Sequence, residues 1–177
     1  DPGLPWTELV ASLNLDAKPP RNARAYVPAK LDSMGPSNWQ PFAAPALDVM
    51  DADGKRVTLA DYRGKNVVLV FYLSDQCAHC MEQLRSISAK REDFAKANAV
   101  VLAVCNAVEN TAPMDGVRLL RDKDHANARR YASFDDFEDM ELHSTILIDG
   151  EGRVRWKRTG GDPFSKVDFL LSELKKF

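Results

Sequence analysis

The sequence predicts an α/β protein with a central mixed β-sheet, helices on both of its faces and a β-hairpin at its N-terminal end. Three observations carry that expectation. Residues 67–73, 99–104 and 145–148 are short apolar runs rich in Val, Ile and Leu, the pattern of strands buried on both faces. Met81, Leu84, Ile87 and Phe94 follow the first run at roughly helical spacing, and Phe164, Val167, Leu170, Leu171 and Leu174 repeat that spacing at the C-terminus. Turn signals at Asp51-Ala52-Asp53-Gly54 and Asp149-Gly150-Glu151-Gly152 each separate two strand-like segments.

Residues 1–41 are Pro-rich, with one amphipathic patch (Trp6, Leu9, Val10, Leu13) before Lys18-Pro19-Pro20 and Met34-Gly35-Pro36 interrupt regular structure. They read as an extension or linker, and residues 42–177 as the folded domain. The hairpin is expected from Ala46-Leu47-Asp48-Val49-Met50 and Arg56-Val57-Thr58-Leu59. Asp51-x-Asp53-Gly54 opens like a calcium loop, but Lys55 falls on a ligand position and the closing Glu is missing, so these residues read as a turn. The central strand over 67–73 then leads through a polar loop into a helix. A strand over 99–105 is followed by a segment, 106–116, that contains Pro113 and is too short for a three-turn helix with its connections. A short strand over 117–121, a helix near 125–133 and a second hairpin from 143–149 and 152–157 come next. Arg153, Arg155 and Lys157 alternate with Val154 and Trp156, as on a solvated sheet edge. The closing helix is expected to be capped by Asp162 with Pro163 as its first residue, and Lys175 and Lys176 complement the negative end of its dipole.

The chemistry concentrates at Cys77-Ala78-His79-Cys80, placed between the buried central strand and the helix. Unpaired N–H groups and the positive end of the macrodipole at a helix N-terminus stabilise a thiolate, the form that attacks disulfides and peroxides. A protonated His79 adds to that effect. The C-x-x-C spacing lets the two sulfurs close a small disulfide ring, so redox chemistry is expected. A structural zinc site would need two further ligands, and no second C-x-x-C or H-x-x-x-H is present. The third cysteine, Cys105, ends an apolar run and reads as a small core hydrophobe.

Composition narrows the partners. The chain has 177 residues, 45% of them apolar and 28% charged, and a net charge of -2, which points to no polyanionic partner such as nucleic acid. No apolar stretch reaches the roughly 20 residues of a membrane span. The first residue is Asp1 and no basic, apolar leader follows, so the native N-terminus is expected to be missing, and a bacterial-type exported or periplasmic setting is the reading kept for the compartment.

Several segments together resemble a family. Asp61-Tyr62-Arg63-Gly64-Lys65 before the central strand, the cysteines after it and Thr145-Ile146-Leu147-Ile148-Asp149-x-x-Gly152-Arg153-Val154 are similar to thioredoxin-fold redoxins of the alkyl hydroperoxide reductase and thiol-specific antioxidant (AhpC/TSA) type. The resemblance covers about residues 42–177. It implies a three-layer thioredoxin-like fold and an antioxidant oxidoreductase with no cofactor beyond its cysteines. The implied partners are a disulfide-bearing protein or a small peroxide, and an external thiol reductant. Two branches compete within it. Peroxiredoxins place T-x-x-C after F-Y-P, which puts Cys80 on the peroxidatic cysteine, Cys77 on the threonine and Leu73 on the proline. Thioredoxin-like reductases carry W-C-x-x-C, which makes Cys77 the attacking thiol.

His143 occupies the place of a peroxiredoxin arginine or of a reductase cis-proline, and an imidazole facing the sulfurs can exchange a proton near neutral pH. Val70 stands where thioredoxins keep a buried acid, which leaves Glu82, Asp75, His79 and His143 as the nearest proton-transfer groups. Copper-carrying assembly factors of cytochrome oxidase share this fold and hold metal with a cysteine pair and a histidine. Their likeness implies an alternative in which Cys77, Cys80 and His143 bind copper, although those factors space their cysteines C-x-x-x-C.

Overall fold

The Val-rich run after Asn66 forms the middle of the sheet, because both of its faces are covered. The computed structural model describes residues 40–160 and 166–177. Strands β1 (Phe42–Ala43), β2 (Asp48–Met50), β3 (Arg56–Thr58), β4 (Asn66–Phe71), β5 (Ala99–Cys105), β6 (Val117–Arg121), β9 (Ser144–Ile148) and β10 (Arg153–Thr159) form one eight-stranded sheet in the order β1-β10-β9-β4-β5-β6-β2-β3. Strands β4, β5 and β6 run parallel, and β9 pairs antiparallel with β4, so the sheet is mixed as expected. Helices α1 (Ala78–Ala89), α2 (Arg91–Lys96), α3 (Ala126–Arg130) and α4 (Val167–Leu174) lie outside it.

Alternation along β4 divides the core in two. Val68 and Val70 pack with Leu84 and Ile87 of α1, Phe94 of α2 and Leu170 of α4, whereas Leu69 and Phe71 pack with Val49, Val57, Ile146 and Tyr131 on the other face. Each such side chain contributes about 1.5–3 kcal/mol by leaving water. The N-terminal hairpin β2–β3 forms over the expected turn, in which Asp51 Oδ1 accepts the N–H of Asp53 and of Lys55.

Several expectations are corrected. The helix read near 125–133 spans only Ala126–Arg130, because Ala132 takes a left-handed conformation (φ 47°) and turns the chain into a small hairpin of β7 (Phe134–Asp135) and β8 (Met140–Glu141). Strand β10 is a sheet edge only in part: β1 pairs with Arg153 and Val154, and no described strand pairs with residues 155–159 on that side. Nor is Lys157 a solvated charge: it is half-buried, and its ammonium donates to the carbonyls of Tyr131 and Ala132 just past the end of α3. Segment 106–116, by contrast, is as expected: it holds only a 3-10 turn, Val108–Asn110. Helix α4 starts at Val167 with Lys166 as N-cap, later than expected. Asp162, Pro163 and Phe164 lie outside the described residues, as does the patch from Trp6 to Leu13. No described helix is long and apolar enough to cross a membrane.

Candidate active site

Strand β4 ends at Phe71, and a turn held by Ser74, whose carbonyl accepts the Cys77 N–H and whose hydroxyl accepts the Gln76 N–H, delivers the chain to α1. Cys77 is the N-cap of α1, with an extended backbone and its Sγ accepting the Cys80 N–H at 3.3 Å. Cys80 lies in the first turn. The two form a disulfide with their Cα atoms 5.2 Å apart. They differ in access: Cys77 is half-buried, whereas Cys80 is fully buried beneath the helix. On reduction, both sulfurs sit at the positive end of a twelve-residue helix, which favours their thiolates.

His143 comes from the opposite side of the sulfur pair, one residue before β9, and is 9% exposed. One of its ring nitrogens and the two sulfurs all lie within 4.8 Å of one another. Its Nε2 stands 2.6 Å from Oε1 of Gln83, whose Nε2 donates to Thr145 Oγ1 at 2.8 Å. Because the amide NH2 is directed to Thr145, its oxygen faces the imidazole. Nε2 therefore carries the proton and Nδ1 the lone pair. Burial, with a smaller contribution from the charge of His79, pushes the His143 pKa down to about 4. Opposite the disulfide the ring is thus neutral at pH 7.

The other expected groups sit elsewhere. His79 and Glu82 are exposed on α1, and Asp75 is half-buried and accepts the Gln76 amide at 3.0 Å. Val70 is fully buried, so the central strand offers no acid at that position. Cys105 is a buried thiol outside any disulfide. The hydroxyl of Tyr72 reaches it and also lies 3.0 Å from Thr111 Oγ1, and burial holds the phenol well above its ordinary pKa.

Gln83 is not among the groups the sequence points to, and Thr145 enters there only as part of the strand motif, not as a site residue. The available signal was a Gln three residues after Cys80, on the same helical stripe as Leu84 and Ile87, where a polar side chain must find a buried partner. A second polar cluster, also absent from the sequence reading, anchors the segment before His143. Glu141 Oε1 accepts the Asn106 N–H at 3.1 Å and lies 2.6 Å from Nδ1 of His125.

The chain is similar to known proteins in sequence and in fold. The model of the AhpC/TSA family matches residues 42–157. Peroxiredoxin-4 of Dictyostelium discoideum is 28% identical over 72% of this chain, and the chain spans about half (54%) of that protein's length. Peroxiredoxin-2 of Macaca fascicularis is 31% identical over 75% of this chain and 74% of that protein. The structure of Xanthomonas campestris peroxiredoxin Q superposes with a TM-score of 0.63 at 24% identity, covering 73% of this chain and 90% of that one, a likeness of fold.

Proposed function

Because the chain belongs to the AhpC/TSA family, we propose that it is a thiol-dependent oxidoreductase whose Cys77 and Cys80 cycle between dithiol and disulfide. Residues 42–177 are the working domain in this reading, and residues 1–41 its extension or linker. The observation that carries the reading is the disulfide at the start of α1, with one accessible sulfur, one buried sulfur and an imidazole beside both.

The unequal exposure divides the labour. In thiol-disulfide exchange the Cys77 thiolate attacks one sulfur of a substrate disulfide, forming a mixed disulfide and expelling a thiolate that takes up a proton. Cys80 then attacks Cys77 Sγ from inside, closing the internal disulfide and releasing the second substrate thiol. Two electrons pass to the substrate, and an external dithiol, or two thiols, supplies two more by attack at Cys77, ending as a disulfide and restoring both cysteines. Gln83 fixes the His143 tautomer, so that Nδ1 is the nitrogen able to accept a thiol proton. A thiolate within a few ångströms raises the pKa of an imidazole, so the reduced site holds that proton better than the disulfide site does.

Peroxide is the second oxidant class, favoured by the peroxiredoxin relatives. Here Cys80 attacks the hydroperoxide, an alcohol leaves and a sulfenic acid forms on Cys80, after which Cys77 displaces water to give the same disulfide. His143 in place of an arginine and Leu73 in place of a proline argue for slow peroxide chemistry, so exchange is the main reading. A separate reading, copper carriage by reduced Cys77, Cys80 and His143, is supported by the closeness of the three donor atoms and by the soft character of the set. It predicts about one Cu(I) per reduced chain, bound at least 10-fold more weakly by His143→Ala.

Single-cysteine variants separate these readings. With exchange led by Cys77, Cys80→Ser accumulates a mixed disulfide with a disulfide substrate. Rapid peroxide consumption by Cys77→Ser, with a trappable sulfenic acid on Cys80, would instead establish peroxidase chemistry. Tight Cu(I) binding that requires His143, without thiol turnover, would overturn both.

A further inference from the structure

Phe137 is 92% exposed, the extreme among the large apolar side chains described, and Met140, three residues on, is 40% exposed. Both belong to the hairpin β7–β8. The same hairpin contains a second phenylalanine, Phe134, which is 8% exposed and packs between the His125 ring, 4.7 Å away, and the Arg129 guanidinium, 4.0 Å away. One phenylalanine therefore anchors the hairpin while the other is held in water.

The exposure of Phe137 is built in. Asp135 Oδ1 accepts the N–H groups of Phe137 and Glu138 at 2.9 and 3.2 Å, which fixes the turn. Arg129 binds Asp136 at 2.7 Å, Leu142 N–H donates to the Ser133 carbonyl, and Glu141 is tied to the end of β5 through Asn106. A rigid aromatic presented this way loses little entropy when a partner covers it. Around it Asp135, Asp136, Glu138 and Asp139 put four carboxylates on the hairpin against one cation, Arg129, which lies 2.7 Å from Asp136 and 3.9 Å from Asp139, while Glu141 is buried. Met140 is also only three residues from His143, which is at most about 11 Å along an extended chain. Phe137 itself is six residues from His143, so a macromolecule seated on it need reach no more than about 22 Å to His143, a span that a protein partner covers.

We propose that this hairpin docks the protein redox partner of the Cys77–Cys80 couple, through a partner surface that combines an apolar pocket for Phe137 with a basic rim for the surrounding carboxylates. The inference rests on the redox reading for the identity of the partner, but docking itself is measured without turnover. Apolar burial holds the complex, and the carboxylates select the sign of the partner's charge and speed its approach.

The probes are synthetic peptides of equal length, each with Leu residues flanking one position and either Lys or Glu around it. For binding, that position is Ser and the protein is in its disulfide form. The Lys-Leu peptide is expected to bind, less tightly as salt rises, and the Glu-Leu peptide to bind at least 10-fold more weakly. Phe137→Ala should weaken the Lys-Leu peptide about 10-fold or more, and Asp136→Lys with Asp139→Lys should remove the preference for Lys over Glu. For turnover, the position is a cystine bridge and a small uncharged disulfide serves as reference. Phe137→Ala should lower kcat/KM for the Lys-Leu cystine peptide while leaving the small disulfide unchanged. Equal binding of both peptides, or full binding by Phe137→Ala, would overturn the docking surface. Self-association of the protein through Phe137 that excludes the peptide would do the same. Inactivity toward the small disulfide as well, with peptide binding intact, would reject the redox reading and leave docking standing.

Discussion

Replacing Gln83 by Met tests the buried arrangement behind the sulfurs while keeping a straight side chain of similar volume and helix propensity. Gln83 is fully buried, and its side chain hydrogen-bonds with His143 at 2.6 Å and with Thr145 at 2.8 Å. A methionine removes the acceptor for the His143 Nε2–H and the donor for the Thr145 hydroxyl. Facing these two buried polar groups with an apolar chain costs about 1–3 kcal/mol each, so the variant should lose about 2–6 kcal/mol. For a domain of this size that lowers Tm by roughly 5–15 °C. Denaturant unfolding with the disulfide intact measures the energy, and imidazole 15N shifts of His143 report its tautomer. A stability loss under about 0.5 kcal/mol with the His143 tautomer unchanged would refute the role assigned to Gln83. Gln83→Glu gives the opposing control. A carboxylate in that position favours the imidazolium, so the His143 pKa should rise well above its value of about 4.

The depressed pKa of His143 also sets a pH dependence. The unfolded chain binds a proton near pH 6.5 and the folded chain only near 4, so this group's contribution is complete above pH 6.5 and is lost as pH falls toward 4. Acid titration of stability should show that loss in the wild type and a smaller one in Gln83→Glu. His143→Ala should lower kcat for disulfide exchange about 100-fold with little change in KM, as loss of a proton acceptor requires; an unchanged kcat would remove His143 from the chemistry. Cys105→Ala should leave turnover intact, because that thiol is buried with Tyr72 and belongs to the core. Glu141→Gln removes the charge facing His125 2.6 Å away and should destabilise the fold by about 1–3 kcal/mol, measured by urea unfolding.

How far the sequence was legible depended on the range of each interaction. Cys77, Cys80 and the strand before them were readable because spacing and apolar runs are local signals. His143 could be placed through the resemblance, since Ile146-Leu147-Ile148-Asp149 fixes its distance from a recognisable strand. Its neutrality was not readable, because the pKa is set by burial that only the packing of α1 against β9 creates. Gln83 lay outside the reading for the same reason: its partners are 60 and 62 residues away. The hairpin β7–β8 was lost because strands of two residues carry no periodicity, and its start depends on a left-handed alanine that no propensity favours. Lys157 was misread as a solvated edge charge, since alternation along β10 does not reveal that carbonyls past the end of α3 cover it.

The most direct test of the dithiol–disulfide cycle is equilibration of the folded protein in dithiol and disulfide buffers over a range of potentials, followed by alkylation and mass mapping of each cysteine. The account predicts one two-electron transition in which Cys77 and Cys80 change together while Cys105 stays a thiol throughout. Separate midpoints for Cys77 and Cys80, or a main product that joins Cys105 to either of them, would contradict it.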